Sequence, residues 1–207
     1  MPAESLSRLH VVGDSISIHY GPHLEARLAG TAQYSRKTGP NGELDEDSDA
    51  NGGDSRRVRA YLASLPPAGQ FDLLLVNCGL HDLRRSSETG ELQVPLDEYR
   101  ANLAEILALA RGLAGRVGWV RTTPVVDELH NRPGLGFRRF AADVEAYNRA
   151  ADEVMRACGV VTLDLFTFTL TLGRAAYSDH VHFTEAARAQ QAAFLAGGLY
   201  PLLGSPT

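Results

Sequence analysis

Cysteine is scarce in this chain: Cys78 and Cys158 are the two in 207 residues. Two thiols cannot build the framework of a disulfide-rich secreted domain. Both lie in apolar stretches, which reads as buried, reduced thiols. An excess of positive charge is missing too. Lys and Arg number 20 against 25 Asp and Glu, a net charge of −5. That excludes a general electrostatic surface for nucleic acid or anionic lipid. No run of about 18 apolar residues occurs, so no membrane-spanning helix is expected. The opening Met1-Pro-Ala-Glu-Ser5 lacks the basic and apolar regions of a signal peptide. These absences set the expectation of a cytoplasmic protein with no nucleic-acid partner and no membrane insertion. Hydrophobic residues make up 44% and charged residues 22%, an ordinary globular balance. One domain over residues 1–207 is expected, long enough to bury its own core.

Apolar runs alternate with helical patterns along the chain. Strands are expected at 9–12, 31–35, 71–78, 117–122 and 160–165. The unbroken Leu73-Leu-Leu-Val76 suits a strand buried on both faces. Helices are expected at 15–29, at 55–65 with Asp54 as N-cap, and at 184–199. Two more follow from helical spacing. One runs through Leu96, Tyr99, Leu103, Ile106, Leu107 and Ala110; the other through Phe137, Phe140, Val144, Tyr147, Val154 and Met155. Five strand–helix alternations predict an α/β fold, a three-layer α/β/α sandwich on a five-stranded parallel sheet. Right-handed crossovers put every strand's C-terminal end on one edge, where such folds bind ligands.

Two long loops interrupt the pattern. Lys37–Ser55 carries Glu43, Asp45, Glu46, Asp47, Asp49 and Asp54. Glu43–Asp49 reads as a solvated, mobile surface loop. It lacks the glycine and glutamate spacing of an EF-hand, which argues against calcium. Asp127–Gly136, after a strand end, is placed to wall a pocket.

The strand ends hold the chemistry. Gly13-Asp14-Ser15-Ile16 follows the first strand and Asn77-Cys78-Gly79-Leu80-His81-Asp82 the third. Ser178-Asp179-His180-Val181-His182 lies in the loop after the fifth. A serine at a helix start is ordinarily a cap. Here Gly13 permits a sharp turn, and the helix N-terminus favours the negative charge of an acyl-transfer intermediate. The three-residue spacing of Asp179 and His182 lets the carboxylate reach one ring nitrogen, leaving the other to take a proton from Ser15. His180 and His182 form an H-x-H pair, but no further cluster completes a metal-ligand set. Gly53 and Gly79 read as turn glycines or as close backbone approaches to an oxyanion.

Together these blocks resemble the SGNH/GDSL hydrolase family. Gly13-Asp14-Ser15-Ile16 is similar to its first block, Gly53-Asp54-Ser55 to its second, Gly79-Leu80-His81-Asp82 to its third, and Asp179-His180-Val181-His182 to its D-x-x-H block. The resemblance implies a flavodoxin-like sandwich and an esterase without a cofactor. It implies Ser15 as nucleophile, His182 as base, Asp179 as its orienting acid, and an oxyanion hole from the N–H groups of Ser15 and Gly53. His81 stands where the family has asparagine, and an imidazole N–H offers a third donor. Asn77 is the fallback for that role. The implied partner is a small-molecule ester, with a lean to short acyl groups such as acetyl on a carbohydrate. The alternatives are a lysophospholipase or thioesterase, and a non-catalytic carbohydrate- or nucleotide-binding α/β domain. The nucleotide alternative lacks both G-x-G-x-x-G and the Walker lysine.

Overall fold

The computed structural model describes residues 6–66 and 69–203; the opening pentapeptide lies outside them. Strand β1 (Ser7–Val12) leads into helix α1 (Ser15–Leu28) and strand β2 (Ala32–Arg36). After the acidic loop come α2 (Ser55–Ser64), β3 (Phe71–Val76), the short β4 (Arg85–Ser86) and α3 (Leu96–Leu113). Then follow β5 (Ala114–Val120), α4 (Asp127–His130), the short β6 (Phe137–Arg138) and α5 (Ala141–Ala157). Strand β7 (Val161–Leu163), α6 (Leu165–Thr171), one 3-10 turn at Arg174–Ala176 and α7 (Glu185–Leu203) complete the order.

The main sheet has the order β2-β1-β3-β5-β7, and every pairing in it is parallel. This is the flavodoxin-like order, with its switch point between β1 and β3. Helices α1 and α7 pack together on one face, and α2, α3 and α5 on the other. Leu9, Val11 and Val12 of β1 and Leu73–Val76 of β3 are fully buried, as strands covered by two helical layers must be. No helix among the described residues is long and apolar enough to cross a membrane.

Three expectations need correction. Phe137 is not in the helix that its spacing suggested. Phe137–Arg138 pairs antiparallel with Arg85–Ser86, and α5 starts only at Ala141. Two-residue strands are too short to show a period of two, so the 3.6-residue coincidence prevailed in the sequence. The fifth strand ends at Leu163, and Leu165–Thr171 forms a helix rich in Phe and Thr. Asp164 caps it by accepting the Thr167 N–H at 3.0 Å, and Phe168 stacks on Phe194 of α7. Capping and packing here override weak helix propensity. The acidic loop is not wholly a solvated surface, because Glu46 and Asp47 line a pocket.

His10 of β1 is buried on the sheet face that α2 covers. Its ring stacks on Phe71 at 4.4 Å, and its nitrogens face Ser35 Oγ at 2.9 Å and Tyr61 Oη at 3.0 Å. Burial, then the charge of Arg36, pushes its pKa down to about 4. The folded chain therefore keeps this ring neutral while the unfolded chain protonates it below about pH 6.5. Its contribution is fully present above that pH and declines toward pH 4, by up to about 1.4 kcal/mol per pH unit. We expect His10→Gln to lower Tm at pH 7 but to flatten the fall in Tm between pH 7 and pH 5, measured by thermal unfolding.

Candidate active site

The site forms where β1 and β3 end. Asp14, not Ser15, caps α1: its carboxylate accepts the Ile16 N–H at 3.0 Å. Ser15 is thus the first helical residue, and its hydroxyl is free of capping. Its own N–H belongs to the first turn, which has no acceptor within the helix. Helix α7 begins just after the Asp179–His182 turn. Val181 and His182 each donate a backbone N–H to Asp179 Oδ1 at 2.7 Å.

The sequence-predicted trio comes together. His182 Nδ1 lies 2.8 Å from Asp179 Oδ2, and Nε2 lies 3.0 Å from Ser15 Oγ. A carboxylate only accepts, so Nδ1 carries the proton and Nε2 is left to accept from the serine hydroxyl. Burial would raise the Asp179 carboxyl. The N–H groups of His182 and Val181 and the His182 ring outweigh it and hold the carboxyl well below its usual range. Asp179 therefore stays ionised wherever the ring can act.

The expected oxyanion donors divide. Gly53 adopts φ +69°, but its N–H is donated to Asn51 Oδ1 at 2.9 Å rather than left free. Asn77 is engaged elsewhere. Its amide donates to Val120 O at 2.8 Å, and its side chain borders a separate small pocket with Tyr20. His81 does line the pocket that holds Ser15 and His182. Burial, with the charges of Arg84, Arg139 and Arg57, pushes its pKa down to about 2. Its ring is neutral with one N–H to give, so the imidazole adds no second titration near neutrality.

Gly79 holds φ +147°, and a Cβ there would lie 2.4 Å from Thr122 Oγ1. Leu80, next to Gly79, is buried, and so is Asp82, three residues on from that glycine. Its two carboxylate oxygens accept the Ser55 N–H at 2.9 and 3.1 Å. Asn102 meanwhile donates to Ser55 Oγ at 2.9 Å. Asp82 thereby joins the loop bearing His81 to the loop bearing Gly53. Burial pushes its pKa up to about 7.

Sequence reasoning missed the pocket's other walls. Glu46 Oε2 lies 3.0 Å from His19 Nε2 and 3.2 Å from His182 Nε2. These three ligand atoms all fall within 4.8 Å of one another, a set that could hold a metal ion. Nothing in the H-x-H spacing pointed to it, since His180 takes no part. Asn51, which donates to Glu46 O at 2.9 Å, ties the acidic loop to Gly53. Arg84, Phe137 and Arg139 complete the cavity, whose volume is about 310 Å³.

A model of the GDSL-like lipase/acylhydrolase family matches residues 11–189, a span that contains every residue of this site. The chain belongs to this family. It is accordingly an SGNH/GDSL-type esterase. Among solved structures, the lipase/acylhydrolase from Enterococcus faecalis superposes with a TM-score of 0.71 at 15% identity, covering 98% of this chain and 99% of that one. Axe2, an acetylxylan esterase from Geobacillus stearothermophilus, gives 0.65 at 17% identity, with 99% and 97% covered. The acetyl xylan esterase AlAXEase gives 0.67 at 14% identity, with 93% and 99% covered. A catalytic mutant of Axe2, with a serine changed to alanine, is also similar, at a TM-score of 0.67 and 17% identity. At these identities the likeness is one of fold. No curated protein matches.

Two outcomes follow for this GDSL-family site. Asp82→Ala should lower stability by about 1–3 kcal/mol, the cost of orphaning a buried N–H, in denaturant titration. Because burial pushes the His81 ring's pKa well below this range, His81→Asn should leave the midpoint of the kcat/KM profile between pH 5 and 9 where the wild type has it. A shifted midpoint in steady-state assays would assign that titration to His81.

Proposed function

We propose that this GDSL-family chain hydrolyses short-acyl esters through a covalent acyl-serine, with acetyl on a carbohydrate as the substrate class. The observation that carries the reading is the hydrogen-bonded chain from Ser15 Oγ through His182 to Asp179. Ser15 attacks the acyl carbonyl as His182 Nε2 takes its proton. Asp179 holds the ring by Nδ1 and stabilises the imidazolium. The tetrahedral oxyanion is met by the Ser15 N–H and the neutral His81 ring, with the Gly53 N–H joining once Asn51 shares it. His182 returns the proton to the leaving alcohol, and water repeats the cycle to release the acid.

Several features support a short acyl group. The cavity has about 310 Å³, and its apolar lining is confined to Leu80, Phe137 and Val181. Two of the fold's relatives are described as acetylxylan esterases. One continuous core on both faces of the sheet supports reading the chain as a single domain.

A fluorophosphonate should add once, on the peptide containing Ser15. Ser15→Ala should abolish labelling and lower kcat by about 10⁴–10⁶. Full esterase activity in pure Ser15→Ala protein would reject the nucleophile. His81→Ala should stay folded and lose about 10²–10³ in kcat with a smaller change in KM. Unchanged kcat on an ester whose chemistry is rate-limiting would remove His81 from the oxyanion hole.

A further inference from the structure

One wall of the pocket beside Ser15 carries positive charge that no neighbouring carboxylate neutralises. Arg84 and Arg139 both line it, their guanidinium carbons 4.3 and 4.9 Å from the centre of the Phe137 ring. Arg139 is 3% exposed. Its Nε donates to Leu80 O, and its Nη1 meets His130 Nε2 at 2.9 Å. The buried Nε of Arg84 has no acceptor among the described residues. Among those residues neither arginine forms an ion pair. The adjacent Arg85 is bound at two points by Asp143, at 2.7 and 2.8 Å, and Arg57 of the same pocket pairs with Asp49.

A buried guanidinium without a counter-charge is unfavourable, and two side by side are more so. Burial, then the charge of Arg84, pushes Arg139 down to about 9. Asp14 and Asp54 act on this pair only at a distance, and burial itself drives Asp14 toward its neutral form. The histidines beside the arginines add no charge of either sign: His81 is pushed to about 2 and His130 to about 4, chiefly by burial. Glu46 Oε2 lies instead beside His19 and His182, 3.0 and 3.2 Å from their Nε2 atoms. The wall is nevertheless rigidly built. Asn131 grips both backbone groups of Arg139, at 2.8 and 3.0 Å, and the β4–β6 pairing fixes the segments on either side. Such construction around uncompensated charge fits a counter-charge that arrives with a ligand.

We propose that Arg84 and Arg139 form an anion subsite that takes a carboxylate or phosphate carried on the alcohol part of the ester. The proposal rests on the reading of Ser15 and His182 as the reacting pair, because their shared pocket puts the anion beside the scissile bond. Neutral esters then bind without the guanidinium contacts, and acidic ones gain them in the ground state and the transition state alike.

The test compares phenyl acetate, 4-acetoxybenzoate and 4-acetoxyphenyl phosphate on the whole chain. At least one anionic ester should exceed phenyl acetate in kcat/KM by about tenfold, the worth of one charge-assisted hydrogen bond. Whichever anion gains more identifies its source. Arg84→Gln should bring that ratio toward one, mainly through KM, and Arg84→Lys should restore part of it. A wild-type ratio near or below one for both anions, or an unchanged ratio in Arg84→Gln, overturns the proposal. An equal fall on neutral and anionic esters leaves the ratio unchanged, and would mean that the arginines act on the oxyanion instead.

If no ester is turned over, the Ser15 reading fails while the anion site is still decided by inorganic phosphate. Phosphate should raise the wild-type Tm, since a ligand bound only to the folded state stabilises it. The rise should be lost in Arg84→Gln. No rise in the wild type, or an equal rise in both, overturns the site.

Discussion

Three consecutive carbonyls at the end of β1 hold the loops of the site in place. Val11 O accepts the N–H of Lys37, Val12 O that of Asn77, and Gly13 O that of Gly52, at 3.0, 2.9 and 2.9 Å. One strand end thereby fixes the exit of β2, the exit of β3 and the return of the acidic loop. A side chain at position 52 would put a Cβ 2.9 Å from Gly13 O. The close approach therefore demands glycine there. Ser15 leaves this junction at once, because Asp14 has already closed the helix. The serine hydroxyl is consequently free to face His182 instead of its own backbone.

Positive charge gathers on one wall of the site, opposite to the sign of the chain as a whole. The whole protein carries −5, yet Arg57, Arg84 and Arg139 all line the pocket. Burial makes the accompanying histidines neutral donors or acceptors rather than cations. A neutral His81 keeps one N–H, as an amide would, which is what its proposed oxyanion role requires. The departure from the family's asparagine thus fits the chemistry of its surroundings.

Buried polar clamps do the positioning that backbone pairing does not. Asp82 bonds the start of α2. Asn148 exchanges two bonds with the backbone of Thr122, at 2.9 Å each, and Tyr99 and Thr122 both donate to Cys78 O. All of these sit at strand ends behind the site. Each would be costly to leave half-satisfied, which makes the arrangement specific as well as stable.

Sequence alone determined the elements whose causes are local. Continuous apolar runs mark β1 and β3, Asp54 caps α2, and strand–helix alternation dictates parallel pairing. The Ser15, Asp179 and His182 assignments rested on short motifs and on the edge to which such a sheet sends them. Tertiary structure alone decided which distant groups meet. Ser15 and His182 stand 167 positions apart, and only the sheet order brings α1 and the turn before α7 together. Glu46 reads as a solvated acid until the β1 junction folds its loop back over His182. Arg84 and Arg139 carry no signal in the sequence, because the strand pair that flanks them in the pocket wall has only two residues on each side, too short for any periodicity. Propensity and capping act over a few residues. Burial and charge pairing depend on the whole chain's path, so those parts of the site had no local signal to carry them.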